Sequence, residues 1–266
     1  MKVYISKTSN VLNKSPYQPE LITPRLCLNP MYSYVKLYFQ CEILLDSGAY
    51  QDEEVRVTFQ QAYDRQRAYQ TKLEQVAKYI VVYDKIGDFE TTMVANKFLL
   101  GLKLPAGQQK ILVVQGESES EYSQCLKDIL ALYSHEKFVI GFGGVAKCGM
   151  NKRIERKLYS AIENNINVLR LVKHVHIFGC FTNRVLKQVE SMLPTVDISV
   201  DTASCEIRSV MGNTFNEGYW VKTYDRSQKY IAYHPNVLAH DNIRRVVDYY
   251  EGETKYRYQN ICDGIC

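Results

Sequence analysis

Short apolar runs alternate with polar, helix-forming stretches along this chain, and the remaining elements are organised around one such run. That run is Val196-Asp197-Ile198-Ser199-Val200-Asp201-Thr202-Ala203-Ser204, which ends on a carboxylate followed by small residues. A carboxylate at the carboxyl end of a buried parallel strand lies at the mouth of a pocket, desolvated enough to act as a nucleophile or a base. An isolated aspartate in this position more often caps the next helix. Here the device repeats along the chain.

The first strand is expected at Val3-Tyr4-Ile5-Ser6, and the proline- and asparagine-rich segment that follows, to Pro30, reads as loop with a short helix. Next, Ile43-Leu44-Leu45-Asp46-Ser47-Gly48-Ala49-Tyr50 runs apolar, stops on a carboxylate and turns through glycine. The stretch from Asp52 to Lys78 is polar and rich in helix formers. The same strand, loop and helix recur at Tyr79 to Asp84 with a helix around Phe89 to Leu100, and again at Ile111 to Gly116. After the latter, Tyr122, Cys125, Leu126, Ile129, Leu130 and Tyr133 share one helix face at three- and four-residue spacing. Phe138 to Gly144 leads to a helix from about Lys152 whose buried face holds Ile154, Leu158, Ala161 and Ile162. His174 to Gly179 leads to a helix carrying Val185, Val189 and Met192, and Asp201 closes the next strand.

Adding the amino-terminal strand and one late run, Tyr219 to Lys222 or Tyr230 to Tyr233, gives about eight units. The expected fold is therefore α/β, a TIM-type (β/α)8 barrel whose strand-end loops converge on one face. A doubly wound open sheet is the competing topology, but no Gly-x-Gly-x-x-Gly or phosphate-loop sequence supports it.

With 266 residues and 46% hydrophobic composition the chain can bury a full core. A single domain over 1–266 is expected, with its core at about 40–235 and a C-terminal helix and tail at about 236–266. There is no basic-then-apolar signal segment, and no apolar run approaches the roughly 20 residues that span a bilayer. A soluble, cytoplasmic protein without a membrane partner is the expectation. The eight cysteines sit in mostly apolar contexts without a disulfide-like framework, so reduced, buried thiols are expected. A net charge of +4 is only mildly basic and announces no polyanion by itself.

The residues that this topology brings to the converging face are Asp46, Asp84, Gln115, Gly143, Gly144, Gly179 and Asp201. Acidic and amide groups beside glycines suit a planar, hydrogen-bonding heterocycle that approaches backbone closely. Four segments, Asp46-Ser47-Gly48-Ala49-Tyr50-Gln51, Val113-Val114-Gln115-Gly116, Gly143-Gly144 and Asp201-Thr202-Ala203-Ser204, resemble in order the motifs of the tRNA-guanine transglycosylase superfamily, over residues 40–213. The short chain resembles most closely the DNA-acting branch, the deoxypurine-in-DNA transglycosylases of phages and bacterial modification clusters.

The resemblance implies a pentosyltransferase that replaces guanine in DNA with a 7-deazaguanine. Asp201 would attack the sugar C1′ and Asp46 would move the proton of the leaving and incoming bases. Asp84 would accept from the N1 and exocyclic amine edge of the base, with Gln115 and the N–H of Gly144 facing its carbonyl oxygen. Tyr50 and Phe178 occupy the positions that sandwich the base, with Gly143 and Gly179 lining the pocket. Asp88 reads as a helix cap rather than a second base-edge acceptor.

Two departures shape the expected substrate. The tRNA enzymes carry a glutamate shortly after their paired glycines, whereas this chain offers Lys147, which favours a neutral base substituent such as that of 7-cyano-7-deazaguanine. The family's zinc subdomain is also missing: Cys262 and Cys266, with His234 and His240 upstream, have the wrong spacing for its motif. No metal or other cofactor is expected, and tRNA becomes the alternative substrate. Lys147 and Arg208 are the candidate nucleic-acid contacts, with Lys152, Arg153, Arg156 and Lys157 nearby, although an ordinary solvated helix face is the simpler reading of the last four. Reaching C1′ in a duplex requires flipping or local opening, so a helper that opens DNA is among the expected partners. A hydrolytic glycosylase and a non-catalytic nucleic-acid-binding subunit are the other readings.

Overall fold

A computed structural model describes residues 1–6, 20–22, 43–47, 58–73, 77–81, 83–133, 137–202, 204, 208, 211–222 and 235–251. Eight parallel strands form its centre: β1 (Lys2–Ser6), β2 (Glu20–Ile22), β3 (Ile43–Leu45), β4 (Tyr79–Ile80), β5 (Gln109–Val114), β6 (Val139–Phe142), β7 (His174–Ile177) and β8 (Asp197–Thr202). Each pairs with the next in sequence order, and β8 returns to pair with β1, with Val3 opposite Val200 and Tyr4 opposite Asp201. The result is an α/β fold with a curled parallel sheet flanked by helices.

From β3 onward, helices separate the strands: α1 (Phe59–Leu73), α2 (Phe89–Gly101), α3 (Glu119–Leu132), α4 (Lys152–Asn164) with the short α5 (Ile166–Leu169), and α6 (Asn183–Met192). Their starts follow local chemistry. The Asp88 side chain accepts from the Thr91 N–H at 2.9 Å, which makes it the N-cap of α2. Ser118 and Glu121 form a reciprocal capping box at α3, and Asn151 caps α4. The face expected from spacing on α3 is buried: Tyr122, Cys125, Leu126, Ile129, Leu130 and Tyr133.

Side chains alternate between the two faces of a strand, so each strand contributes to two cores. Leu112, Val114, Ile140, Phe142, Val175, Ile177, Ile198 and Val200 pack outward with the helices. Leu44, Tyr79, Val81, Ile111, Val113 and Val139 form a separate inner cluster, against which Phe178 packs. The alternation carries inward through Gln115 after β5, Gly141 and Gly143 on and after β6, His174 and His176 on β7, and Ser199 and Asp201 on β8. Gln115, Gly143 and Asp201 thus continue the inward period at their strand ends, while Asp84 comes from the loop after β4.

Strand β4 is short, and a buried side chain takes over part of its role. Asn96 of α2 donates to the Val113 carbonyl at 2.9 Å and accepts from the Val113 N–H at 3.0 Å, satisfying backbone of β5 beyond the reach of β4.

Two expectations are corrected. The segment before Pro30, read as loop and helix, contributes β2 (Glu20–Ile22), which lies between Pro19 and Pro24 and offers only two apolar residues instead of a run. The late run Tyr219–Lys222 is not in the parallel sheet; it is β10, antiparallel to β9 (Asn213–Asn216). The connection explains why: Glu217 and Gly218 both have positive φ, +45° and +94°, the two-residue turn that folds a chain straight back on itself. The alternative run at 230–233 lies outside the described residues.

The hairpin packs with α7 (Pro235–Glu251), where Asn242 accepts from the Phe215 N–H and donates to the Asn213 carbonyl. The Phe215 ring lies among Phe181, Trp220, Tyr249 and Tyr250. No described helix is long and apolar enough to cross a membrane.

Candidate active site

Two polar constellations occupy the carboxyl ends of the strands. The first joins the ends of β3, β4 and β5. The Ser47 hydroxyl donates to Asp84 Oδ1, and Gln115 Nε2 donates to Asp84 Oδ2 at 2.7 Å. The Gly87 N–H in turn donates to Gln115 Oε1 at 3.2 Å. Desolvation raises the Asp84 pKa above the ordinary aspartate value, and the bonds from Ser47 and Gln115 oppose that rise. The carboxylate is therefore held in place by two neutral donors.

Asp46 follows β3 directly and is half-buried. Its position is set through its backbone: Gln66, buried on α1, donates to the Asp46 carbonyl at 3.2 Å and to the Val81 carbonyl at 2.5 Å, tying the ends of β3 and β4 together. Tyr50 lies outside the described residues.

Behind Gln115 sits the paired-glycine loop. A Cβ on Gly144, whose φ is +66°, would stand 2.7 Å from Gln115 Oε1, and one on Gly143 would stand 2.8 Å from Val113 Cγ1. The glycines are required for this approach. Tyr122 fixes the loop from the helix side by donating its hydroxyl to the Gly143 carbonyl at 2.9 Å. Lys157 braces the neighbouring turn, its Nζ bonded to the Gly116 carbonyl at 2.8 Å and placed 4.7 Å from the centre of the Tyr122 ring. Burial pushes the Lys157 pKa down.

The second constellation surrounds Asp201, which is 7% exposed. The Gly179 N–H donates to Asp201 Oδ1 at 2.7 Å, and His176 Nε2 lies 3.4 Å from the same oxygen. Below, Ser199 Oγ lies 2.8 Å from His176 Nδ1 and 2.7 Å from His174 Nε2. Phe178 packs its ring edge-on to His176, with centroids 4.4 Å apart, and beneath Gly141, where an added Cβ would stand 2.8 Å from Ile111 Cγ2. The Phe178 ring therefore reaches into the inner core below the strand ends.

The structure thus brings Asp84, Gln115, Gly143 and Gly144 together in one cluster, and Gly179, Phe178 and Asp201 in another. Sequence reasoning missed His174, Ser199 and His176. The available signal was period-two polarity: His-x-His and Ser-x-Asp on neighbouring buried strands place four polar groups on one face.

The basic residues are mostly committed elsewhere. Lys147 is exposed on the loop after β6, and Arg208 is half-buried beyond β8. Lys152 pairs with buried Glu155 at 3.5 Å, Arg156 approaches Glu119 at 3.8 Å, and Lys157 is buried as described. Lys157 therefore does not belong to a solvated helix face. Cys125, Cys148 and Cys180 are free and buried, and desolvation pushes the Cys125 thiol up to about 12. Among the described residues no group of three His, Cys, Asp or Glu is arranged to hold a metal ion; Cys262, Cys266 and His234 lie outside them. Compared with known proteins, the chain matches no family model and no curated protein.

Proposed function

We propose that the chain is a base-exchange transglycosylase of DNA, built on a single (β/α)8 barrel of the TIM type, that replaces guanine with a 7-deazaguanine. The observation that carries this reading is a buried carboxylate, Asp201, on the same strand-end rim as the Asp84–Gln115 pair beside two close-packed glycines. The pair supplies an acceptor and an amide for the edge of a purine, and the glycines let a flat ring approach backbone.

In the first step an Asp201 carboxylate oxygen bonds to C1′ as the C1′–N9 bond to guanine breaks, and Asp46 supplies the proton the departing base needs. In the second, N9 of the incoming base attacks C1′, the ester bond breaks, and the N9 proton passes to Asp46. Bond count and charge are restored, and no nucleotide cofactor is consumed. Asp84 reads guanine because adenine would leave its carboxylate facing no N1–H. Lys147, exposed beyond the paired glycines, suits a neutral substituent, and 7-cyano-7-deazaguanine is the favoured incoming base. Lys147 and Arg208 are the proposed contacts to the nucleic-acid backbone, and a DNA-opening protein is the proposed partner for duplex substrates.

The test is intact-mass analysis of the purified protein with single-stranded DNA, duplex DNA or tRNA, with and without 7-cyano-7-deazaguanine, beside Asp201→Asn. A covalent DNA adduct absent from the variant, and resolved with the modified base in place of guanine, is the expected result. Adducts only with tRNA would move the reading to the RNA-acting branch. Abasic sites formed without an incoming base would make the protein a hydrolase, and no adduct on any substrate would favour a binding subunit.

A further inference from the structure

We propose that His176 is a positioning residue for Asp201, its Nε2–H turned toward the carboxylate by a buried chain running from His174 through Ser199. This inference rests on the transglycosylase reading for its consequence, but its geometry is independent of that reading.

Four inward side chains line up across β7 and β8. His174 Nε2 and His176 Nδ1 both lie within 2.8 Å of Ser199 Oγ, and His176 Nε2 faces Asp201 Oδ1 at 3.4 Å. The register explains the alignment: His176 stands opposite Ser199, with His174 one inward step below on β7 and Asp201 one inward step above on β8. His176 and Ser199 are fully buried. The Tyr79 ring packs edge-on to His174 at 5.2 Å, and Phe178 to His176 at 4.4 Å, so apolar rings flank both imidazoles.

A hydroxyl has one proton, so Ser199 donates to one imidazole and accepts from the other. The two histidine tautomers are therefore linked. For a nucleophile, Asp201 must be ionised, and a bare ring lone pair facing a carboxylate oxygen at 3.4 Å would repel it. The ring nitrogen facing Asp201 must carry hydrogen. In a neutral His176 that leaves Nδ1 as the acceptor, so Ser199 donates to His176 and His174 Nε2–H donates to Ser199. Every donor in the chain then points toward the strand ends. A ring hydrogen-bonded at its far nitrogen is fixed in tautomer and orientation, the role a third group plays in a hydrolytic triad.

The result is a carboxylate whose Oδ1 accepts from the Gly179 N–H at 2.7 Å and is faced by His176 Nε2 at 3.4 Å, a contact longer than a hydrogen bond, both from the carboxyl end of β7. That fixes the plane of the carboxylate relative to the base cluster. A misplacement of about 1 Å at a reacting group costs on the order of a hundredfold in rate.

The decisive measurement is long-range proton–nitrogen correlation on nitrogen-15-histidine protein at neutral pH, with His176 assigned by its absence in His176→Gln. A protonated Nε2 on His176, whose population falls in Ser199→Ala, is expected; an unprotonated Nε2 in the wild type overturns the proposal. The second arm measures covalent adduct formation with DNA at saturating concentration. Ser199→Ala and His176→Phe should each slow it about tenfold to a hundredfold, with half-saturation unchanged, and His176→Gln, which keeps an amide donor, should recover part of the rate. Adduct formation at wild-type rate in both variants overturns the positioning role while leaving the transglycosylase reading intact. Absence of any adduct in the wild type removes that reading, and the nitrogen spectrum still decides the relay.

Discussion

The backbone N–H of Gly179 donates to Asp201 Oδ1 at 2.7 Å, linking the turn after β7 to the carboxylate on β8. Gly179 does this from a left-handed backbone conformation, φ +64°, and an added Cβ there would stand 2.9 Å from Ala146 Cβ. The turn is thus shaped by the absence of a side chain, and its amide is aimed by that shape.

Gly179→Ala should therefore cost about 1–2 kcal/mol of stability from the left-handed conformation alone, and crowding against Ala146 should rotate the amide away from Asp201. Thermal unfolding checks the first effect. The second is checked by the rate of covalent adduct formation, expected to fall by more than the loss of folded protein explains.

In the proposed transglycosylase, Asp84 must be ionised to accept from the N1–H and amine of guanine. Its folded pKa is raised, chiefly by desolvation, so guanine binding should be complete above that raised value and lost as pH falls through it, at a pH higher than for an ordinary aspartate. The same shift has the opposite sense for stability: the folded state gains from protonation, a contribution present below the ordinary aspartate pKa and lost as pH rises through the folded value. Asp84→Asn should weaken guanine binding about tenfold to a hundredfold at neutral pH and flatten its acid limb. Calorimetric titration of guanine across pH reads both.

Glu155, buried on α4, receives a hydrogen bond from Arg184 on α6 and lies near Lys152. Its pKa is lowered, mainly by Arg184, so the stability it contributes is fully present above the ordinary glutamate pKa and is lost as pH falls through the depressed folded value. Glu155→Gln should be less stable than the wild type at neutral pH, and the two curves should converge in acid. Denaturant melts at a series of pH values test this; parallel curves throughout would refute it.

Asn96 is buried and is bonded to both the N–H and the carbonyl of Val113. Asn96→Leu leaves both groups buried without their partner, each costing about 1–3 kcal/mol. The expected outcome is a fall of about 2–4 kcal/mol in unfolding free energy, with hydrogen exchange at Val113 accelerated more than at Leu112.

Much of the site was legible because strand chemistry is local. Apolar runs ending on Asp46, Asp84, Gln115 and Asp201 announced strands with polar ends, and the spacing on α3 announced its buried face. Asp88 was legible as a cap because Asx capping needs only the next few backbone N–H groups. Strand β2 was not legible: Glu20–Ile22 lies between Pro19 and Pro24 and is not part of an apolar run like those of β3 and β4. The place of Tyr219–Lys222 was also hidden, because its apolar content suits either sheet and the Glu217–Gly218 turn determines its partner.

What the sequence determined by itself was the alternation of strands and helices, the helix caps and the polar residues available at the strand ends, since each follows from side-chain period or short-range bonding. Tertiary structure alone decided which of those residues meet. Register between β7 and β8 sets His174, Ser199, His176 and Asp201 in one line, and close approach of Gly144 to Gln115 sets the Asp84–Gln115 cluster. Such contacts join positions far apart in the chain, through relative strand offsets that no local preference encodes.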